Sequence, residues 1–214
     1  LKERFIKMGD YFITSDLHLS HDQEFLYGPR KFSSVKEMNE AIVERWNSII
    51  KPEDIVYNLG DVAMNDISAA IPYLKQLNGF QWWIRGNHDS MKKIQQITNE
   101  CKNISLISNP EASWATMFKY DKIYCYLSHY PTLTANYDEK HFNQHVIALH
   151  GHTHQQANFM YPNNPFCYHV GMDSHNCIPV ALDEIITEIR QRWLDLQALK
   201  IPVEDLYTYP IKGE

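Results

Sequence analysis

Three short apolar runs, 11-YFITS-15, 55-IVYNL-59 and 80-FQWWIR-85, each stop at polar residues, and segments of helical period separate them. Runs of this length, rich in aromatic and β-branched residues, read as buried strands. Between the first two, Val35, Met38, Ile42, Trp46 and Ile49 share one helical face. Ser34 and Glu37 have capping-box spacing at its start, and Lys51-Pro52 ends it. A second helix is expected over 67–77, with Asp66 as its N-cap and Pro72 as an internal irregularity; a short third one is expected over 91–97. The stretch 16-DLHLSHDQEFLYGPRKF-32 reads as a loop, with Gly28-Pro29 as a turn signal. Strand, loop, helix, strand, helix, strand, helix is the order of a parallel sheet covered by helices. Ligand sites in such sheets gather at the carboxyl ends of the strands.

The second half reads as more antiparallel. WATMFKY and KIYCYLS flank Asp121 as a hairpin, HVIAL (145–149) and FCYHVG (166–171) are further strands, and 182-LDEIITEIRQRWLDLQ-197 is an amphipathic helix. Residues 200–214 carry no readable chemistry. With no repeat, low-complexity tract or Gly/Ser linker, the 214 residues are expected to form a single domain, 1–214.

Composition narrows the function classes. With 20 basic against 26 acidic residues the net charge is −6, which argues against a surface that tracks duplex nucleic acid. Cys101, Cys125, Cys167 and Cys177 form no CxxC pair and read as buried free thiols. No apolar run reaches the ~20 residues of a membrane span, and the N-terminus lacks the apolar core of a secretory signal. No membrane partner and a cytoplasmic location are therefore expected.

The chemistry stands where the strands end. Asp16 and His18, then Asp61, then Asn87, His88 and Asp89, then His129, then His152 and His154 each follow an apolar run. Oxygen and imidazole donors of this kind suit Mn, Fe, Ni, Co or Zn, and the lack of a thiolate argues against a structural zinc. Alternate residues of an extended segment point to one face, so Asp16 with His18, and His152 with His154, are expected to converge. Gly60, Gly86 and Gly151 would let the backbone turn tightly beside them.

The series 16-DLH-18, 60-GD-61, 86-GNHD-89, His129 and 151-GHTH-154 resembles the calcineurin-like metallophosphoesterases, in their small bacterial and phage form. The resemblance implies a four-layer α/β/β/α sandwich of two mixed sheets flanked by helices. It implies one metal held by Asp16, His18, Asp61 and His154, and another by Asp61, Asn87, His129 and His152, with Asp61 bridging. It further implies hydrolysis of a phosphomonoester or phosphodiester, possibly a nucleotide, by a hydroxide shared between the two ions. His88 would be the general acid for the leaving oxygen. His21 and Arg30 are the candidates for contact with a substrate phosphate.

One position departs from relatives. Protein phosphatases of this superfamily carry an Asp three residues after the bridging one; here Met64 stands there, which makes a phosphoprotein substrate less expected and leaves open what orients His88. Of the other histidines, His141 and His145 are expected to face solvent. His150, His169 and His175 are at most residues behind the ligands, and Tyr130 is read as packing. The DLHLSH stretch is also similar to pyrophosphatases of the lipid A pathway and to repair exonucleases. The first need an apolar lid, which the sequence does not display; the second usually add a cap domain, for which few residues remain. A nuclease is the alternative enzyme. A non-catalytic scaffold would have lost ligand positions, and here all seven and His88 are filled. Oligomeric state is not legible.

Overall fold

In the computed structural model, residues 9–64, 67–107, 113–134, 140–200 and 205 are described. The three N-terminal apolar runs form β1 (Tyr11–Thr14), β2 (Ile55–Asn58) and β3 (Phe80–Trp83), paired in parallel. β4 (Ile104–Leu106) continues the parallel stack, and β10 (Val180–Ala181) closes the far edge antiparallel to β1, giving the order β10-β1-β2-β3-β4. The second sheet holds β5 (Ala115–Tyr120), β6 (Ile123–Ser128), β7 (Val146–His150), β8 (Phe159–Tyr161) and β9 (Asn164–His169), in the order β5-β6-β7-β9-β8. The expected hairpin is β5 and β6. Asp121 and Lys122 turn it with φ of 41° and 67°, the paired positive values of a two-residue hairpin loop.

The helices are α1 (Glu24–Tyr27), α2 (Val35–Ile49), α3 (Ile67–Leu74), α4 (Met91–Glu100) and α5 (Leu182–Leu199). Ser34 caps α2 as expected, its Oγ accepting from the Glu37 N–H at 3.2 Å. Glu37 does not complete the box on Ser34; its carboxylate accepts from the Ser33 N–H at 2.8 Å. Met38, Ile42 and Trp46 of α2 are wholly buried with Val56, Leu74, Trp83 and Ile97 in a first core, between the first sheet and helices α2, α3 and α4. A second core lies between the sheets. Ile13, Leu59 and Ile84 meet Cys125, Leu127, Ile147, Leu149 and Tyr168, and α5 adds Ile185 and Ile189. Successive side chains of a strand point to opposite faces, so Phe12 enters one core and Ile13 the other. That is why the N-terminal strands read as continuous apolar runs rather than alternating ones. Two mixed sheets flanked by helices are the α/β sandwich that the sequence motifs imply.

Several expectations are corrected. The second sheet is mixed: β6, β7 and β9 run parallel, and only its β5 and β8 edges pair antiparallel. The 16–32 segment is not all loop, because α1 forms inside it. His145 does not face solvent; it is buried and stacks on Phe166 with ring centroids 4.0 Å apart. The strands β4, β8 and β10 are two or three residues long, too short to carry a pattern. Asp66, expected to cap α3, lies outside the described residues, as does all of 201–214 except Asp205. Among the described residues, no helix is long and apolar enough to cross a membrane. All four cysteines are free and buried.

The two sheets meet at their carboxyl ends. A parallel bridge joins Ser15, just past β1, to Gly171, just past β9, and the Met172 N–H donates to the Ser15 carbonyl at 3.1 Å. Every polar cluster singled out in the sequence leaves a strand at this junction or beside it.

Candidate metal centre

The loops that leave β1 and β2 are zipped together. The Asp16 N–H donates to the Gly60 carbonyl at 2.9 Å, and the His18 N–H to the Asp61 carbonyl at 3.0 Å. From the second sheet, the Gly151 N–H donates to the His129 carbonyl at 3.0 Å, and the His152 N–H to Asp16 Oδ2 at 2.9 Å. The strand pleat does not aim the side chains, contrary to the sequence expectation. Asp16, His18, Asp61, His152 and His154 all have φ between 49° and 69°. Left-handed backbone costs a non-glycine residue roughly 1–2 kcal/mol, and such residues persist where surrounding contacts enforce them. Here the inter-loop hydrogen bonds do so. Two glycines make room. A Cβ on Gly151 would lie 2.0 Å from Ser15 Oγ and 2.3 Å from Asp16 Oδ2; one on Gly86 would lie 2.1 Å from Asp61 Oδ1.

The seven donors converge in two groups. Asp16 Oδ1 lies 3.8 Å from His18 Nε2 and 3.8 Å from His154 Nε2. Asp61 Oδ2 lies 3.8 Å from His18 Nε2 and 3.4 Å from His129 Nε2, so this oxygen stands between the groups. Asn87 Oδ1 lies 2.9 Å from both His129 Nε2 and His152 Nδ1. Asp16, His18 and His154 form one set able to hold a cation, and Asp16, Asp61 and His129 a second.

These contacts are unsatisfied as they stand. His129 Nδ1 lies 2.9 Å from the Leu59 carbonyl, which only accepts, so Nδ1 carries the hydrogen. Nε2 of the neutral ring then points a lone pair at two more acceptors, Asn87 Oδ1 and Asp61 Oδ2. Asp16 Oδ1 and both ring nitrogens of His18 are buried without a hydrogen-bond partner. Buried polar groups of native proteins are paired, and unpaired ones cost about 1–3 kcal/mol each. Divalent cations at the two points would resolve these clashes together, so the residues fit them.

This donor set stands inside a matched domain. Residues 10–167 match the calcineurin-like phosphoesterase superfamily domain. The chain belongs to the calcineurin-like phosphoesterase superfamily. It is 31% identical over 192 residues to an uncharacterized protein of Methanocaldococcus jannaschii, covering 87% of this chain and 94% of that one. It is 26% identical over 205 residues to the gene 66 protein of Mycobacterium phage D29, covering 86% of this chain and 99% of that one. Among solved structures, a protein of unknown function from Aquifex aeolicus shares the fold, with a TM-score of 0.58 and 21% identity over 84% of this chain and 98% of that one.

Electrostatics at this centre favour anionic Asp16 and Asp61. Burial alone would raise the Asp16 carboxyl, but the neighbouring imidazoles of His18, His129 and His154 outweigh it and hold the group far below the usual range. Asp61 is lowered too: burial opposes, while the adjacent His129 imidazole and the hydrogen bond from the His88 N–H prevail. Burial works against His129 as well, yet Asp61 and Asp16 raise it. Asp89, of the GNHD motif, is buried beneath the centre. Its Oδ2 accepts from the Asp61 N–H at 2.7 Å and the Gly86 N–H at 2.9 Å, which fixes the backbone that presents Asp61.

His88 lies at the mouth. Its N–H donates to Asp61 Oδ1 at 2.8 Å, its ring nitrogen Nε2 lies 3.9 Å from Asp61 Oδ2, and its side chain is 44% exposed. The carboxylate that its ring faces is thus Asp61. Met64 lines the adjacent cleft with His88, where phosphatases carry their orienting Asp. His21 also lines that cleft, its ring 5.5 Å from His18. Tyr130, expected to pack, is exposed and sets its ring edge-on to His152 at 4.6 Å.

Arg30 is corrected. It does not reach outward for a phosphate. Its Nε and one Nη pair with Asp173 at 3.0 and 2.9 Å; the other contacts are the Leu17 and Asp16 carbonyls and the Met38 sulfur. Five N–H donors meet five acceptors, which leaves none for a ligand.

The sequence reading passed over Asp173. Its Oδ2 accepts from His154 Nδ1 at 2.9 Å, which leaves His154 Nε2 free to face Asp16. Burial would raise its carboxyl, but His154 and Arg30 lower it strongly. The sequence does carry a signal for it: 171-GMD-173 follows an apolar run in the same way as the DLH, GNHD and GHTH clusters. Carboxylates that orient a ligating histidine typically contribute 10–100-fold to metal affinity. Asp173→Asn is accordingly expected to weaken metal binding by about 10–100-fold in calorimetry. It also removes the negative charge and one of the two oxygens that pair with buried Arg30, so the urea midpoint falls as well.

Behind the candidate ligands, His150 and His169 are wholly buried with ring centroids 5.4 Å apart. Burial pushes His150 down to about 4; burial and then the neighbouring His150 push His169 down to about 3. In an unfolded chain both would titrate near about 6.5. Their contribution to stability is therefore full above that pH and is lost as pH falls toward 4. The raised His129 and His154 act in the opposite sense, but their change lies above about 6.5. Metal-free protein is expected to lose stability between pH 6 and 4.5, by up to about 1.4 kcal/mol per pH unit for each histidine. Urea unfolding across that range checks it, and His169→Asn is expected to flatten the slope.

Proposed function

We propose that this chain is a metal-dependent hydrolase of phosphomonoesters or phosphodiesters. The reading rests chiefly on one observation: Asp61 Oδ2 lies among three imidazoles, those of His18, His129 and His88, at 3.4–3.9 Å, beside buried donors that have no protein partner. Under this reading Asp16, His18, Asp61 and His154 hold one cation, and Asp61, Asn87, His129 and His152 a second. Cations bound there would neutralise the phosphoryl oxygens and lower the pKa of an attacking water.

The chain's own residues do the rest. Asp61 keeps both sites at a fixed spacing, because its Oδ1 is tied to the His88 N–H and its backbone to Asp89. Asp173 holds the His154 ring in one tautomer. Half-exposed His88 holds a proton at Nε2 over the mouth and delivers it to the oxygen of the leaving alcohol, which would otherwise depart as an alkoxide. His21, whose ring lies 5.5 Å from that of His18 in the cleft lining, would meet a non-transferred phosphoryl oxygen.

The test is a panel. Protein reconstituted separately with Mn, Fe, Ni, Co and Zn is assayed on p-nitrophenyl phosphate, bis-p-nitrophenyl phosphate, cyclic nucleotides and single-stranded DNA. Turnover of at least one ester with at least one metal is expected. No hydrolysis in any combination would sink the proposal, and turnover of the DNA alone would replace it with a nuclease.

A further inference from the structure

The metal centre opens on one side into a cleft of about 510 Å³, lined by His18, His88 and His154 at its floor. Its outer wall is apolar: Phe25 and Leu26 of α1, with Pro29 and Met64. Phe25 is 72% exposed. An exposed phenylalanine alone means little, since single apolar residues are common on surfaces. Its position gives it meaning. The His21 ring lies 5.5 Å from that of His18, and the Phe25 ring 5.7 Å from that of His21, edge to face at 86°. Three rings thus step outward from a candidate ligand to the rim. Gln156, an exposed residue of the same lining, carries a side-chain amide with donor and acceptor together.

We propose that this wall is the binding place for a nucleobase, and that Phe25 is the residue that makes the enzyme prefer a nucleoside as the alcohol of its phosphoester. The inference rests on the phosphoesterase reading above. A base has the two properties that the cleft offers to meet: an apolar face for Phe25 and a hydrogen-bonding edge for Gln156. The volume falls in the usual range of small-molecule sites, roughly 300–1,000 Å³. An acyl chain would match the apolar wall but leave the Gln156 amide facing hydrocarbon. A sugar phosphate alone would leave Phe25 uncovered.

Calorimetry on manganese-loaded protein decides it, with ligands that cannot be cleaved: the phosphonate isosteres of adenosine 5′-monophosphate and of ribose 5-phosphate, decylphosphonate, and inorganic phosphate. The adenosine isostere is expected to bind about tenfold more tightly than the ribose isostere, the low end for a base on one aromatic ring. Phe25→Ala, whose ring is too exposed to support the core, is expected to bring the two to the same affinity. Equal binding by the unaltered protein, a preference that survives Phe25→Ala, or tighter binding of decylphosphonate would each overturn the inference while inorganic phosphate still binds. Failure to bind inorganic phosphate would instead remove the phosphoesterase reading, and this inference with it.

Discussion

Asp61→Asn is expected to abolish turnover and to lower metal content measured on the purified protein. Asp61 Oδ2 lies 3.8 Å from His18 Nε2 and 3.4 Å from His129 Nε2, within reach of both groups of donors, and the amide that replaces it is neutral and offers one oxygen. Loss of a partner behind a ligand costs about 10–100-fold in affinity, and loss of a shared ligand is expected to exceed that. Folding is a separate matter. Asparagine keeps an acceptor for the His88 N–H, and the Asp61 backbone stays bonded to Asp89. The variant's far-ultraviolet circular dichroism is therefore expected to match that of the parent protein. Retention of two ions at full affinity would contradict the bridging role.

His88→Asn is the second large effect, of a different kind. Metal content is expected to be unchanged, because the ring stands at the mouth rather than among the buried donors. Turnover is expected to fall by about 10²–10⁴-fold, the usual contribution of general acid catalysis. The loss is expected to be greatest for an alkyl leaving group and small for p-nitrophenolate, which departs without a proton. An equal loss on both substrates would give His88 a role in binding instead. Unchanged turnover of the alkyl ester would take it out of the mechanism. A pH profile adds a check: the parent's dependence on one protonated group is expected to vanish in the variant.

The architecture was legible where periodicity ran long enough. α2 shows its buried stripe of Met38, Ile42 and Trp46, and the runs that became β1, β2 and β3 show it as continuous apolar segments. The short strands β4, β8 and β10 were not legible, because two or three residues cannot display a period. The direction of β7 and β9 escaped too. Pairing direction depends on how the 129–145 and 151–163 connections cross over, and no local pattern records that.

For the site, the sequence by itself determined which donors are present, their order, and that each follows a strand. Strand ends are local events, and chemistry-bearing residue types stand out against apolar runs. What only the tertiary structure decided is how they are used. Left-handed backbone, not the strand pleat, turns Asp16 and His18 toward one point, and hydrogen bonds between the loops of two sheets enforce it. Asp173 claimed Arg30 from 143 residues away, turning an expected phosphate contact into a buried brace behind His154. Phe25 acquired its place on the cleft wall because α1 formed in a segment that had no helical signal of its own. Partners distant in sequence leave no local trace, so the identity of the donors is written along the chain while their geometry belongs to the fold.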